Sequence, residues 1–353
     1  MAHAALHANF RRDRAVSANG VLVLGEALID DLPSGPVPGG APFNVARSLA
    51  ALGTPVTFVS RIGAHDEAGA LVLQSARRFG LADGGIQRDP LRGTGRVSVL
   101  QRGDDHVFEI EPHSAWDHID TAQAWSALPS TAPQVIYFGT LSQRHETSKQ
   151  TIAKVLAATD GLRLLDLNLR APFTTQALAA HCLHLADWVK VNLEELVTVL
   201  AWFVPHAQLE KDFPKSGPNP AVAALMRYFS LNRLIVTLGE RGWASFAKNG
   251  HCDHCGPAYP VAKIADTVGA GDAFTAMFLA MLCRSGALGI APCKSWAGQL
   301  QTALAMAAQF GAAICEQRGP MPHDDRFFPV WVSRIEAAVQ SAATATQPVP
   351  HIA

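Results

Sequence analysis

Two hydrophobic rhythms alternate along this chain. Short apolar runs, "GVLVLGEAL", "VTFVSRIG", "QVIYFGTL", "LRLLDLNL", "WVKVN" and "RLIVTLG", read as strands. Between them lie stretches with apolar residues at helical spacing: "NVARSLAALG" from Asn44, "EAGALVLQSARRFG", "ETSKQTIAKVLAAT", "TQALAAHCLHLA", "EELVTVLAWF" and "AVAALMRYF". Two long apolar helices follow, "AGDAFTAMFLAMLCR" and "QTALAMAAQFGAAIC". Strands that alternate with helices predict an α/β fold with a mostly parallel sheet covered on both faces. Near-continuous apolar runs such as "LIVTL" fit strands buried on both sides.

One region breaks the rhythm. Thr94 to Glu111, "TGRVSVLQRGDDHVFEIE", reads as two alternating strands around a "GDD" turn, and "EALIDDLP" as an extended arm. Strands outside a βα core predict a small antiparallel sheet with an apolar face that needs cover, as a lid over a site, a dimer contact or both. Phe203 to Pro220 reads as a loop or insertion. The expected organisation is a flexible tail over 1–19, one domain over 20–336 with lid strands near 26–38 and 92–115, and a frayed tail over 337–353.

Composition narrows the partners. The 29 basic and 30 acidic residues nearly cancel, so no basic excess points to nucleic acid or an anionic membrane. No apolar run reaches the length of a membrane span. "FRRDRAVSANG" carries twin arginines but is followed by a strand-like segment rather than a separate apolar export core, so the expected location is cytoplasmic. Six scattered cysteines do not form a disulfide framework. "HCDHC", His251 to Cys255, has zinc-like spacing, but no second pair closes a tetrahedral site, and a solvated turn is expected there.

Four stretches carry candidate chemistry. In "DTVGAGDAF", Gly269, Ala270 and Gly271 lead into a helix that starts at about Asp272. Free N–H groups at a helix start attract anions, and glycines admit close approach of a ligand. No Gly-Lys-Ser/Thr follows, and Phe274 stands where a dinucleotide motif needs its third glycine. What remains is an anion hole with a carboxylate at its rim, suited to phosphoryl transfer with Asp272 as proton acceptor. A plain helix cap is the competing reading, and residue chemistry alone leaves both open. "PGGAPFNVA" sets Gly39 and Gly40 before a helix with Asn44 at its start, either a turn and cap or a floor for hydroxyls. "VKVNLEE" puts Asn192 and Glu195 on one helical face, which suits Mg²⁺ held through water or, more plainly, an exposed helix surface. "VTLGERG" is a buried strand ending in a glycine turn.

Taken in order, "GEALIDDLP", "PGGAPFNVARSLAALG", "SRIGAHDEAG", "DLNLR", "VNLEE", "VTLGERG" and "DTVGAGDAF" resemble the PfkB (ribokinase-like) carbohydrate kinases, most closely bacterial fructokinases, over roughly residues 20 to 325. The resemblance implies a three-layer αβα sandwich with a β-lid and an ATP-dependent sugar kinase. It implies Asp272 as the base and the Gly269, Ala270 and Gly271 amides as the anion hole. Asn192 and Glu195 would organise Mg²⁺, while Thr237, Gly239, Gly242, Thr267, Gly269 and Gly271 would join Asn192 around ATP. Asp30, Gly39, Gly40 and Asn44 would hold sugar hydroxyls. Arg170 would face the phosphate or sugar, and Trp116 of "EPHSAWDHI" would wall the sugar site. Asp266 and the Val268 carbonyl fall where the family binds K⁺. The family's Leu-Trp after D-x-N-x-R is "APF" here, which leaves the sugar open among fructose, 2-keto-3-deoxygluconate and a nucleoside. A homodimer through the lid is expected. A non-catalytic sugar-binding protein on the same fold is the other class, disfavoured by the presence of Asp272, Asn192 and Glu195.

Overall fold

The computed structural model describes residues 20–32, 35–102, 105–285 and 294–344. The main sheet contains β1 (Val21–Leu24), β4 (Val56–Gly63), β5 (Ile86–Asp89), β8 (Val135–Gly139), β9 (Leu162–Asp166), β10 (Trp188–Asn192), β11 (Gly217–Pro218), β12 (Arg233–Thr237), β13 (Trp243–Ala247) and β14 (His251–Gly256). Their spatial order is β11-β14-β13-β12-β10-β9-β8-β1-β4-β5. From β12 to β5 every pairing is parallel, and the β12–β13–β14–β11 edge is antiparallel.

Successive strand residues point to opposite faces, so each strand feeds two cores. Val21 and Val23 pack on the side of α1 (Ala41–Ala51) and α2 (Glu67–Arg78). Leu22 and Leu24 pack on the side of α3 (Thr121–Ala127), α4 (Glu146–Ala158), α5 (Gln176–Leu185), α6 (Leu193–Phe203) and α7 (Pro220–Phe229). The first side is completed by α8 (Ala270–Ser285), α9 (Lys294–Cys315) and α10 (Phe327–Thr344). The result is the expected three-layer sandwich. Among the described residues, no helix is long and apolar enough to cross a membrane.

A second, four-stranded sheet stands apart, in the order β3-β2-β6-β7, with β2 (Leu28–Leu32), β3 (Gly35–Gly39), β6 (Gly95–Arg102) and β7 (Asp105–Ile110). The hairpin of β6 and β7 lies where the alternation put it. The sheet is mixed rather than antiparallel, however, because β2 pairs with β6 in parallel. That pairing joins segments far apart in the chain, which a local pattern does not register.

Three further expectations change. α1 begins at Ala41, not Asn44, because Pro42 fits the first helical turn and Gly40 serves as N-cap with φ +100°. The "HCDHC" stretch is strand β14 rather than a turn; it pairs with β13, buries Cys252 and leaves His251 exposed. Among the described residues, no cluster of three metal-binding side chains exists. Part of the expected C-terminal tail is helical, since α10 runs to Thr344 and buries Ile335 on the α8–α9 side. The expected N-terminal tail over 1–19 lies outside the described residues, as does 345–353. The Phe203 to Pro220 loop is pinned by Phe213, whose ring stacks on Phe246 at 5.7 Å.

Candidate active site

The carboxyl ends of the parallel strands meet the start of α8, the usual place for a ligand in an open α/β sheet. Strand register sets Gly139 beside Asp166, Asp166 beside Lys190, and Asn192 beside Thr237. Lys190 and Asp166 form a buried ion pair, Nζ to Oδ2 2.8 Å. Thr275, one turn after Asp272, donates to the same Asp166 oxygen at 3.0 Å. The network fastens the first turns of α8 to β9 and β10. Burial alone would lower the Lys190 ammonium, but Asp166 beside it outweighs burial and holds it above its ordinary range.

Asp272 sits in the first turn of α8 with part of its surface open. Its carboxylate accepts from Asn44 Nδ2 at 2.8 Å, across 228 positions of sequence. Arg47 donates to Asn44 Oδ1, to the Pro38 carbonyl at 2.9 Å and to Ser75 Oγ at 2.7 Å. Its guanidinium also lies 4.3 Å over the Phe43 ring. Arg47 therefore decides which way the Asn44 amide faces, with the oxygen turned to itself and the NH₂ to Asp272. Burial lowers the Arg47 guanidinium to about 9, which leaves it cationic at neutral pH.

Three carboxyls around this point are raised. Burial carries Asp272 to about 6, against the downward pull of the Asn44 hydrogen bond. Burial likewise takes Asp30 to about 6, tempered by Arg47. Glu26 rises furthest, to about 7, again through burial, and its Oε2 has no partner. The Arg170 cation lowers all three. Asp272 is thus ionised at neutral pH yet basic enough to take a proton.

Two glycine positions are dictated by space. Gly269 has φ +79°, and a Cβ there would stand 2.5 Å from Pro320. Gly40 has φ +100°, and a Cβ would stand 2.7 Å from the Glu26 carbonyl oxygen. Gly39 lies directly against the Asp30 carboxylate. Asp30, Gly39, Gly40, Asn44, Gly269, Ala270, Gly271 and Asp272 are thus brought to one locality by β2, β3, α1 and α8. Arg170 is exposed, with Nη1 3.1 Å from the Leu169 carbonyl oxygen.

Asn192 and Glu195 are a reciprocal cap for α6. Glu195 N donates to Asn192 Oδ1 at 2.8 Å, and Asn192 N donates to Glu195 Oε2 at 2.9 Å. Glu195 is buried, not an exposed helix residue, and its Oε1 accepts from Leu169 N at 2.9 Å. Each carboxylate oxygen keeps acceptor capacity for a water, so the pair fits a hydrated Mg²⁺ and not a stripped one. Thr237 ends β12, and Gly239 and Gly242 bracket a tight turn after it. Thr267 and Val268 are exposed. Asp266 accepts from Val268 N and Gly319 N, both at 3.0 Å, and so ties two loops together.

Trp116 is fully buried at the lid base with Leu28, Val97, Ile110 and Leu141, under the Arg144 guanidinium at 4.0 Å, and its indole Nε1 has no hydrogen-bond partner among the described residues. Sequence reading missed Glu26, Arg47, Asp166, Lys190 and Thr275. The first four lie within quoted motifs and Thr275 directly follows one, but their roles come from partners distant in sequence.

A glycine-rich helix start, a raised carboxylate and a separate β-sheet lid thus stand together on an αβα sandwich. The sequence profile of the pfkB family carbohydrate kinases matches residues 36–325, and the chain belongs to that family. It is an ATP-dependent sugar kinase. The "Probable fructokinase-5" of Arabidopsis thaliana is 29% identical over 325 residues, covering 86% of this chain and 93% of that protein. The fructokinase of Klebsiella pneumoniae is 29% identical over 283 residues, covering 75% and 85%. An engineered double mutant of the Vibrio cholerae O395 fructokinase, bound to fructose, ADP and potassium ion, superposes with TM-score 0.70 at 23% identity, covering 88% and 97%. The aminoimidazole riboside kinase of Salmonella enterica, with aminoimidazole riboside and an ATP analogue, gives TM-score 0.68 at 23% identity, covering 88% and 99%. The two structures establish the shared fold.

Proposed function

We propose that the chain transfers the γ-phosphoryl group of ATP to the primary hydroxyl of D-fructose, giving fructose 6-phosphate and ADP. The observation that carries the reading is Asp272, raised to about 6 at a glycine-rich helix start and oriented by Asn44. Asp272 takes the proton of the sugar's primary hydroxyl as that oxygen bonds to phosphorus. The bond from phosphorus to the β,γ-bridging oxygen breaks, and ADP leaves with the electron pair. The Gly269, Ala270 and Gly271 amides and Arg170 balance the charge that spreads over the transferring group.

Asp30, Gly39, Gly40 and Asn44 hold the sugar. Thr237, Gly239, Gly242 and Thr267 border the nucleotide. Asn192 and Glu195 would hold Mg²⁺ through waters, where the ion would neutralise phosphate charge. Asp266 and the Val268 carbonyl offer oxygen atoms for K⁺ beside the anion hole. The fructokinase names among the relatives support fructose, and the riboside kinase among the structures makes ribosides the natural competitors.

A panel of fructose, other hexoses, 2-keto-3-deoxygluconate and ribosides, assayed with ATP and Mg²⁺ by ADP release, tests this. Fructose is expected to give the highest kcat/KM. A riboside or keto-acid that exceeds it overturns the sugar, and no ADP release with any acceptor overturns the reaction.

A further inference from the structure

A cavity of about 870 Å³ lies between α2, the lid strand β3 and the loop at 318–323. Its volume matches a small-molecule site, yet its lining does not include Asp272, Asn44 or Arg170. Three arginines line it, Arg47, Arg78 and Arg318, together with His323. Asp266 is the acid among the lining residues and accepts from two backbone N–H groups. Arg78 is shared with Asp325 at 3.8 Å and with the His323 carbonyl at 3.1 Å, and Arg47 faces Asp30 and Asp272. Three lining arginines against one lining acid still favour an anion. Apolar side chains, Leu71, Phe79 and Met321 among them, supply a surface for a carbon skeleton.

Arg47 is the telling member. It is buried to 2% exposure, and its Nε has no hydrogen-bond partner, an orphan donor at a charged group. The same guanidinium holds Asn44 Oδ1, and Asn44 holds Asp272. One buried side chain thus belongs to the cavity wall and to the support of the catalytic carboxylate.

We propose that this cavity binds a small phosphate ester, and that its occupancy is read at Asp272 through Arg47 and Asn44. Guanidinium groups match phosphate oxygens in a planar fork, and the apolar wall favours an ester over the bare ion. A dianion beside Arg47 draws its donors away from Asn44. Asn44 then loses the contact that fixes its amide, and the sugar loses an oriented partner. The binding stands apart from the kinase reading; only the coupling rests on it.

The test is calorimetry on the full chain without nucleotide, with 3-phosphoglycerate, inorganic phosphate and citrate as probes. 3-Phosphoglycerate is expected to bind more tightly than the other two. Binding should weaken about tenfold or more in the Arg78→Ala/Arg318→Ala double variant, as loss of charge-assisted bonds requires. With the sugar that turns over, 3-phosphoglycerate should raise the wild-type KM roughly fivefold or more. The double variant should keep the wild-type kcat and KM and lose that response. No binding, unchanged binding in the double variant, or tighter binding of citrate overturns the site. Binding that leaves KM unchanged overturns the coupling. Because the calorimetric arm needs no turnover, failure of the kinase reading would leave the site itself standing or falling on its own measurement.

Discussion

Asp272 is held by an amide, and the amide by an arginine, and the consequences are measurable at single residues. On the proposed mechanism Asp272→Ala would remove the proton acceptor and should lower kcat by about 10²–10⁴-fold while calorimetric binding of fructose and ATP persists. A folded variant with near-normal kcat would return Asp272 to a structural role. The pH profile is more discriminating. A carboxyl raised to about 6 is ionised above that pH and protonated below it. As a base it works only when ionised, so kcat/KM should rise with pH through about 6 and then level off. The Asn44 hydrogen bond stabilises the ionised form. Asn44→Ala must therefore raise the Asp272 pKa and move the acid limb to higher pH, besides raising the sugar KM. An acid limb that stays in place in Asn44→Ala would break the link between the two residues.

At the scale of elements, two polar devices secure the strand ends. The Asn192–Glu195 box caps α6 and reaches Leu169 after β9. Glu195→Ala should cost about 0.5–2 kcal/mol of stability, as lost caps do, and raise the Mg²⁺ concentration for half-maximal activity. Denaturant melts and a Mg²⁺ titration separate the two effects, and a titration that overlays the wild type would leave Glu195 as a cap alone. Lys190→Met strands the buried Asp166 carboxylate and should destabilise by about 3–5 kcal/mol in the same melts. These devices also mark what was legible. The apolar runs located β4 and the β6–β7 hairpin because strand alternation is local. β5, with the polar sequence "IQRD", gave no such signal. The cysteine spacing of "HCDHC" masked strand β14, and an Ala-rich composition masked the end of α10. In the site, Asp272 and its glycines were readable because a turn and a helix start are neighbours in sequence. Arg47, Lys190 and Thr275 were not, because each acts on a residue that only the fold brings near. For Trp116 the sequence indicates a place near the lid, and only packing decides that it is buried there.

For the whole molecule, the lid sheet is where a second copy would dock. In the β6–β7 hairpin Val97 pairs with Ile110, and both are buried at the lid base. Two positions further out the hairpin pairs Val99 with Phe108. The alternation read from the sequence would carry an apolar face on toward the hairpin tip. A second lid packed on the first would cover it, as two sheets do in a sandwich, and would make the protein a homodimer. The same sheet contains β2 and β3, which carry Asp30 and Gly39, so a movement that closes the lid on sugar also moves the contact. Closure would exclude the water that competes for the phosphoryl group. Val99→Glu with Phe108→Glu should therefore produce a monomer and weaken fructose binding together, read by light scattering and calorimetry on one sample. A wild-type monomer at micromolar concentration with fructose affinity intact would sink the dimer and leave the lid to act alone.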